Sequence, residues 1–402
     1  MVMAWDPSQA HSIERLQVIY KIAERCNLNC SYCYYYNMGD DTAFQRPARV
    51  SLSATTSLAR WLAQGCTDLD IPELLISFHG GEPMLLRALE FARMCDTLLR
   101  IVTPATDLRF SIQTNGTVMT EGWLEALKRY QVSVGVSIDG RRTDHDRFRL
   151  DHRGRSSFKT TETTIKRLMD ESINYPHLRP GTISVLHHEV DYRETYRYLR
   201  ELGVQSMHFL LPDRSADDRT PDVEAKASAI GQGLLAIFEE WMTEDNPDIN
   251  IRFISETLGH FQIGGPQLPL RRRRKTNQIL VARSDLTIAI DDSLIPALEW
   301  YKKIPVFPIA QYTLRDVFRD PIFRLLEEEV NRLPDGCAGC PWTKICRGGD
   351  LENRYSKSRG FNNPSVYCAT YKILYRGICD LLVKNGYPEP EINLRFGGLA
   401  HA

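Results

Sequence analysis

Short apolar runs alternate with amphipathic stretches along residues 15–211. LQVIYKI (16–22), ELLISFH (73–79), LRFSIQT (108–114), VSVGVSI (132–138), GTISVLH (181–187) and QSMHFLL (205–211) read as six strands rich in β-branched and aromatic residues. Between them apolar positions recur at helical spacing, which predicts helices at about 51–64, 85–101, 120–130, 159–172 and 191–202. Ser51 or Ser53 stands where the first helix needs an N-cap, and Thr120 does so for the third. Such alternation demands crossover connections, and so an α/β fold with a parallel sheet and helices outside it. The near-continuous apolar runs ELLISF and SMHFLL lead us to expect strands buried on both faces. An open doubly wound sheet and a partial barrel both satisfy this pattern, and in both, ligands gather at the carboxyl ends of the strands.

The unusual residues stand at those ends. Cys26, Cys30 and Cys33 follow the first strand, His79-Gly80-Gly81-Glu82-Pro83 the second, Asn115-Gly116 the third and Asp139-Gly140 the fourth. One cleft therefore collects all four groups. After 211 the character changes: a helix at about 221–243, a Gly- and Pro-bearing stretch, then the basic run Arg271-Arg272-Arg273-Arg274-Lys275. That run reads as a solvated loop or as a dock for an acidic peptide. ILVARSDLTIAID then reads as a small hairpin turning at Ser284-Asp285, and the remainder is loop-rich.

The 402 residues leave room for about two to three domains, and a net charge of −1 gives no pull towards nucleic acid or anionic membrane. With no signal peptide and no run of eighteen apolar residues, a cytoplasmic location without membrane contact is expected. Ten cysteines in such a chain read as metal ligands rather than disulfides. Cys66 and Cys95 fall inside helices and Cys379 reads as a buried apolar residue; the others gather as Cys26/Cys30/Cys33 and Cys337/Cys340/Cys346/Cys368. Three thiolates on a tight loop leave one iron of a four-iron cluster open to a chelating small molecule, whereas a structural zinc site is closed by four ligands. The C-terminal four suit zinc or a cluster alike.

Cys26-Asn27-Leu28-Asn29-Cys30-Ser31-Tyr32-Cys33 resembles the cysteine loop of the radical S-adenosylmethionine superfamily, including the aromatic before the third cysteine. Gly80-Gly81-Glu82-Pro83 resembles the family's second motif, which contacts the methionine amino group. Gln113-Thr114-Asn115-Gly116 and Ser137-Ile138-Asp139-Gly140 resemble the strand ends that hold ribose and methionine carboxylate, and Asp144-His145-Asp146 with Arg149 fits the segment that follows in peptide-modifying members. The resemblance covers residues 15–370. It implies a 4Fe–4S cluster with an open iron site on Cys26, Cys30 and Cys33, with S-adenosyl-L-methionine against Tyr32, Gly80, Gly81, Glu82, Pro83, Gln113, Asn115, Ser137, Asp139 and Arg149.

Cys337-x2-Cys340-x5-Cys346-Arg347-Gly348-Gly349 is similar to the SPASM-type extension of peptide maturases. Asn353-Arg354-Tyr355-Ser356 and the string from Gly360 to Cys368 resemble those that cross-link ribosomally made peptides, cyclophane-forming members included. Full SPASM domains use seven cysteines for two auxiliary clusters. This chain has no cysteine from 96 to 336, so the resemblance implies one auxiliary 4Fe–4S cluster, on Cys337, Cys340, Cys346 and Cys368. Formylglycine-making relatives carry a cluster cysteine and then an aspartate base where this chain has Ile290-Asp291. Asp291 or Asp292 is thus the expected base, with Asp213 after the sixth strand next in line.

The implied fold is a partial (β/α)6 TIM-like barrel with a loop-rich, SPASM/twitch-like iron–sulfur extension. Its expected limits are an N-terminal extension at 1–14, the barrel at 15–220, a linking helix and basic loop at 221–275 and the auxiliary-cluster domain at 276–402. The implied activity is hydrogen abstraction from Cβ of a precursor peptide and formation of an intramolecular cross-link. The alternatives are formylglycine formation on a protein Ser or Cys, as in anaerobic sulfatase maturases, and peptide epimerisation. Flavodoxin or ferredoxin would supply electrons. The 25 residues before Cys26 are too few for a winged-helix leader-binding domain, so leader recognition falls to a separate protein or to the barrel.

Overall fold

The computed structural model describes residues 13–263 and 278–396, apart from 219 and 221, and the basic run at 271–275 lies outside them. Ten strands form one sheet: β1 (Arg15–Ala23), β2 (Glu73–Gly80), β3 (Asp107–Thr114), β4 (Ser133–Ser137), β5 (Gly181–Val185), β6 (Ser206–Leu210), β7 (Asn250–Ile251), β8 (Ile279–Ala282), β9 (Thr287–Ala289) and β10 (Phe307–Pro308). Their order across the sheet is β10-β9-β8-β1-β2-β3-β4-β5-β6-β7. From β8 to β7 every neighbouring pair is parallel. A doubly wound sheet would reverse its strand order at a switch point. Here β1 to β6 run consecutively, so each right-handed crossover returns to the same face and the sheet curls as a partial barrel.

Helices Leu52–Asp68, Ala88–Val102, Glu121–Arg129, Phe158–Glu171 and Tyr192–Glu201 fill the crossovers. The expected caps are in place: Ser51 accepts from the Ala54 N–H and Thr120 from the Trp123 N–H. Asp191 caps the last of them through the Arg193 and Glu194 amides. A short helix at Arg142–Phe148, not expected from the pattern, buries His145 completely.

The expectation of strands buried on both faces holds for Ile76, Ser77 and Phe78 of β2 and fails in β6. Along β4, β5 and β6, buried positions alternate with half-buried ones. The buried face packs under the helices. The other face is polar and partly open: Gln17 donates to Ser77 (2.8 Å), Ser77 pairs with Ser111 (2.8 Å), and Gln113 donates to Ser137 (2.9 Å). Apolar residues such as Leu75 and Ile183 interleave with these polar ones, which made the runs look continuous.

β8 and β9 form the expected hairpin, closed by the Arg283 N–H to Thr287 carbonyl bond, with Leu286 in left-handed backbone at φ 65°. β8 pairs in parallel with β1, so the hairpin extends the barrel sheet. The cysteine-bearing loops at about 335–367 lie between the helices Pro321–Asn331 and Cys368–Lys384. Cys368–Lys384 packs along Val223–Glu244, and the crossing is tight. A Cβ on Gly231 would lie 2.9 Å from the Thr370 carbonyl oxygen, and one on Gly377 2.3 Å from a Leu235 methyl carbon. Among the described residues, no helix is long and apolar enough to cross a membrane.

Candidate active site

The loop leaving β1 carries the first three cysteines, and the end of β2 lies directly against it. The Gly81 N–H donates to the Ala23 carbonyl (2.7 Å) and the Glu82 N–H to that of Arg25 (2.9 Å). Gly80 has φ +140°, and a Cβ on Gly81 would lie 2.4 Å from the Arg25 carbonyl. The glycine pair therefore makes room first for the chain entering the cysteine loop. Glu82, 1 % exposed, accepts from the Met84 N–H (3.0 Å), the Thr114 hydroxyl (2.7 Å) and the Asn115 N–H (2.7 Å). Burial raises its pKa against the pull of these donors. Both carboxylate oxygens thus clamp the end of β3 to that of β2. Asn115 in turn donates to Asn27 (2.9 Å) and points its amide at the Cys26 sulfur (3.8 Å).

A second clamp joins the loop to β4. Tyr32 donates to Asp139 (2.6 Å), Arg149 donates to the Tyr32 oxygen (2.6 Å), and the Val185 N–H donates to the other Asp139 oxygen (3.0 Å). His145 supports this corner through Ser157 (2.8 Å), whose hydroxyl donates to the Arg149 carbonyl (2.7 Å). Tyr32, Asn115, Asp139 and Arg149 thus meet around the cysteine loop, while Gln113 and Ser137 pair beside it on the open sheet face.

Cys26, Cys30 and Cys33 are free, partly exposed thiols. Burial, and then Glu82, push the Cys26 thiol up to about 12. Burial also raises Cys30, opposed by the Arg149 guanidinium. Thiols held in protonated form without a metal become ligands by releasing those protons to solvent as the metal binds. The buried Arg149 Nε has no hydrogen-bond partner. A buried N–H of that kind implies a missing acceptor. Three free thiols beside an unanswered guanidinium N–H fit an iron–sulfur cluster with a carboxylate-bearing ligand.

The three aspartates expected from sequence also converge. Asp292 forms an ion pair with Lys21 (2.6 Å), both buried, and accepts from the Tyr34 hydroxyl (3.2 Å). Burial would raise Asp292, but Lys21 outweighs it and leaves the carboxyl below its ordinary value. Asp291 accepts from the Ser293 N–H and caps the short helix at 292–297. Asp213, just beyond β6, is pushed up to about 7 by burial and then by Asp292 and Asp291. His79, noted from sequence at the end of the second strand, belongs to this region, as do Lys21 and Glu24, which were not singled out. Glu24 is fully buried, accepts from Tyr35 and faces Arg46 (3.8 Å). Burial and Lys21 lower His79 to about 4, which keeps it neutral. The available signal was a lysine inside the otherwise apolar run LQVIYKIA.

Cys337, Cys340, Cys346 and Cys368 line one cavity of about 330 Å³, mouth included, with Trp342 and Tyr371 among its walls. All four are free thiols. Gly348 and Gly349, at φ +88° and +83°, turn the chain around it. Among the described residues, no three Cys, His, Asp or Glu side chains converge as ligands of a single ion. Cys66 and Cys95 lie in helices and Cys379 is buried, as expected; the first two are buried as well.

The model of the Radical SAM superfamily matches residues 20–202. The cysteine-type anaerobic sulfatase-maturating enzyme of Clostridium novyi is 22 % identical over 365 residues, covering 88 % of this chain and 92 % of its own length. The solved structure of native anSMEcpe with bound AdoMet and Cp18Cys peptide superposes with a TM-score of 0.74 at 20 % identity, covering 92 % of this chain and 98 % of that one. Streptococcus suis SuiB bound to its precursor peptide SuiA gives 0.60 at 14 % identity, covering 88 % and 76 %. Residues 20–202 thus match the Radical SAM superfamily, and the chain is an enzyme.

Proposed function

We propose that this enzyme oxidises a side chain of a ribosomally made peptide and closes an intramolecular cross-link from its Cβ. The observation that carries the reading is the meeting of Asp213, Asp291 and Asp292 beside the cysteine loop, linked to it through Tyr34. Cys26, Cys30 and Cys33 would hold the first cluster, with S-adenosylmethionine against Tyr32, Asn115, Asp139 and Arg149; Cys337, Cys340, Cys346 and Cys368 would hold one auxiliary cluster. Thiols spread around a cavity suit a multi-iron cluster better than a lone tetrahedral zinc. Bound there, these groups would supply the one-electron chemistry that removes a hydrogen atom from the peptide and a sink for the electron left after bond formation.

The protein's own share is proton transfer and placement. Of the three aspartates, Asp213 is the best acceptor, because a pKa near 7 lets a base be both unprotonated and basic at neutral pH. Asp292, neutralised by Lys21, is a weak base, and Asp291 is committed to its helix cap. The order expected from sequence is thereby reversed in our reading. The peptide loses two hydrogens, one as the abstracted atom and one as a proton plus an electron.

Formylglycine formation is the second reading, and the sulfatase-maturating relatives matched over most of the chain favour it. It removes the same two hydrogens, so the test must read structure. Anaerobically reconstituted enzyme should be given a short precursor peptide sought among its neighbouring genes. A product two hydrogens lighter that ignores a hydrazine probe and resists fragmentation between the joined residues is expected. A hydrazine-reactive aldehyde would establish formylglycine instead, and unchanged mass with solvent deuterium at Cα would establish epimerisation.

A further inference from the structure

Two basic side chains of the described core are fully buried, Lys21 and Arg354. Lys21 has its carboxylate at 2.6 Å. Arg354 is differently placed. Its Nε donates to the Phe361 carbonyl (3.1 Å) and one Nη to that of Arg332 (3.1 Å), both neutral acceptors, while the other Nη is buried without a partner. A guanidinium taken out of water without a counter-charge is costly, so such a group persists where an anion stands nearby.

Glu329, already paired with Arg332 (3.1 Å), is one such neighbour, and the four-cysteine cavity is the other. Gly348 lines it, and a Cβ on Gly348 would lie 3.7 Å from Arg354 Cδ. Burial works against the charge of Arg354, while Glu329, Cys337 and Cys346 favour it. Lys372 lines the cavity as well. An iron–sulfur cluster on four thiolates is anionic and gains a further negative charge on reduction. Charge and burial around such clusters set their potentials.

We propose that Arg354 is the buried counter-charge of the four-thiolate site, a positioning residue that raises the potential of the iron–sulfur group held there and so favours uptake of an electron. This rests on the reading of Cys337, Cys340, Cys346 and Cys368 as cluster ligands. Hydrogen bonding to the two carbonyls alone would be a structural role, which an uncharged donor also fills.

The test uses full-length protein with Cys26, Cys30 and Cys33 replaced by Ala, so that C-terminal iron is observed alone. Iron content is measured first, and its absence from this parent would sink the cluster reading itself, separately from the role of Arg354. With iron present, an EPR-monitored redox titration should show Arg354→Gln losing at least about tenfold in the reduction equilibrium, about 59 mV for a one-electron couple. Arg354→Lys should recover most of that loss. Glu329→Gln, which removes the opposing carboxylate without touching the carbonyls, should shift the potential upward. It also decides the matter if Arg354→Gln does not fold. An iron-replete Arg354→Gln protein, or an iron-replete Glu329→Gln protein, with an unmoved potential would overturn the proposal.

Discussion

At the scale of single residues, the same chemical type serves different ends according to its neighbours. Asp292 is buried and Asp213 half-buried near it, yet Lys21 holds the first ionised and its charge helps keep the second protonated. A base needs its unprotonated form, so peptide modification should rise with pH through about 7. Asp213→Asn should abolish that limb and lower product by ~10²–10⁴-fold while 5′-deoxyadenosine still forms. Stability runs the other way. The folded state binds the Asp213 proton more tightly than the unfolded chain does, so its contribution is present at low pH and fades as pH rises from the ordinary 3.8 towards about 7. The Asn variant should therefore lose that slope in urea titrations across the same window. Glu82 is the other instructive residue. Its sequence motif points to a ligand anchor, but its oxygens are occupied by three protein donors. Glu82→Ala should cost about 3 kcal/mol of folding stability in addition to any loss of S-adenosylmethionine affinity. An unaltered denaturation midpoint would show that the clamp contributes nothing.

Among elements, the six barrel strands and five crossover helices were legible because two periods, near 2 and near 3.6, alternate cleanly and caps stand at the right places. What escaped was short or dictated from a distance. β7 has two residues and pairs only because β6 presents an edge. The Arg142–Phe148 helix is too short for periodicity to register and is held by His145 beneath Asp139. The expectation of doubly buried strands, where it fails, came from reading apolar runs without the alternation of serine and glutamine among them. The crossing of Val223–Glu244 with Cys368–Lys384 offers a test of how elements place chemistry. Cys368 begins the second helix, and Gly231 meets the backbone of Thr370, two residues on. Gly231→Val should push that helix away, with a cost of about 1–3 kcal/mol for overpacking. Iron lost on the C-terminal side alone is the expected signature, and full iron would mean that the helix position does not govern Cys368.

For the whole molecule, the candidate site was legible to the extent that its residues stand at strand ends, since a parallel array brings such ends together whatever the loop details. Cys26, Cys30, Cys33, Asn115 and Asp139 stand at such ends, whereas Cys337, Cys340, Cys346 and Cys368 stand in segments beyond the sheet that the argument does not reach. Lys21 and the unpaired Arg354 were hidden because burial and partnership are properties of the packed chain. Iron stoichiometry tests the two-centre arrangement as a unit. Anaerobic reconstitution should give about eight irons per chain for two four-iron clusters, and joint replacement of Cys26, Cys30 and Cys33 by Ala should leave about four and no S-adenosylmethionine cleavage. Iron-free, zinc-loaded C-terminal thiols in protein made without oxygen would refute the second centre.

The parallel pairing of β8 with β1 bears on how the enzyme comes into being on the ribosome. Strand β1 at 15–23 is synthesised first, yet one of its two edges waits for residues 279–282. Until then the nascent barrel carries an unsatisfied row of backbone donors and acceptors next to its cysteine loop, the kind of edge that recruits foreign strands. Contacts so distant in sequence form slowly. Emergence of the hairpin is therefore the event that seals the edge beside which the first cluster's thiols lie. Insertion of iron and sulfide at Cys26, Cys30 and Cys33, the ligands we propose, would meet a site still open on one flank before that moment and a braced one after it.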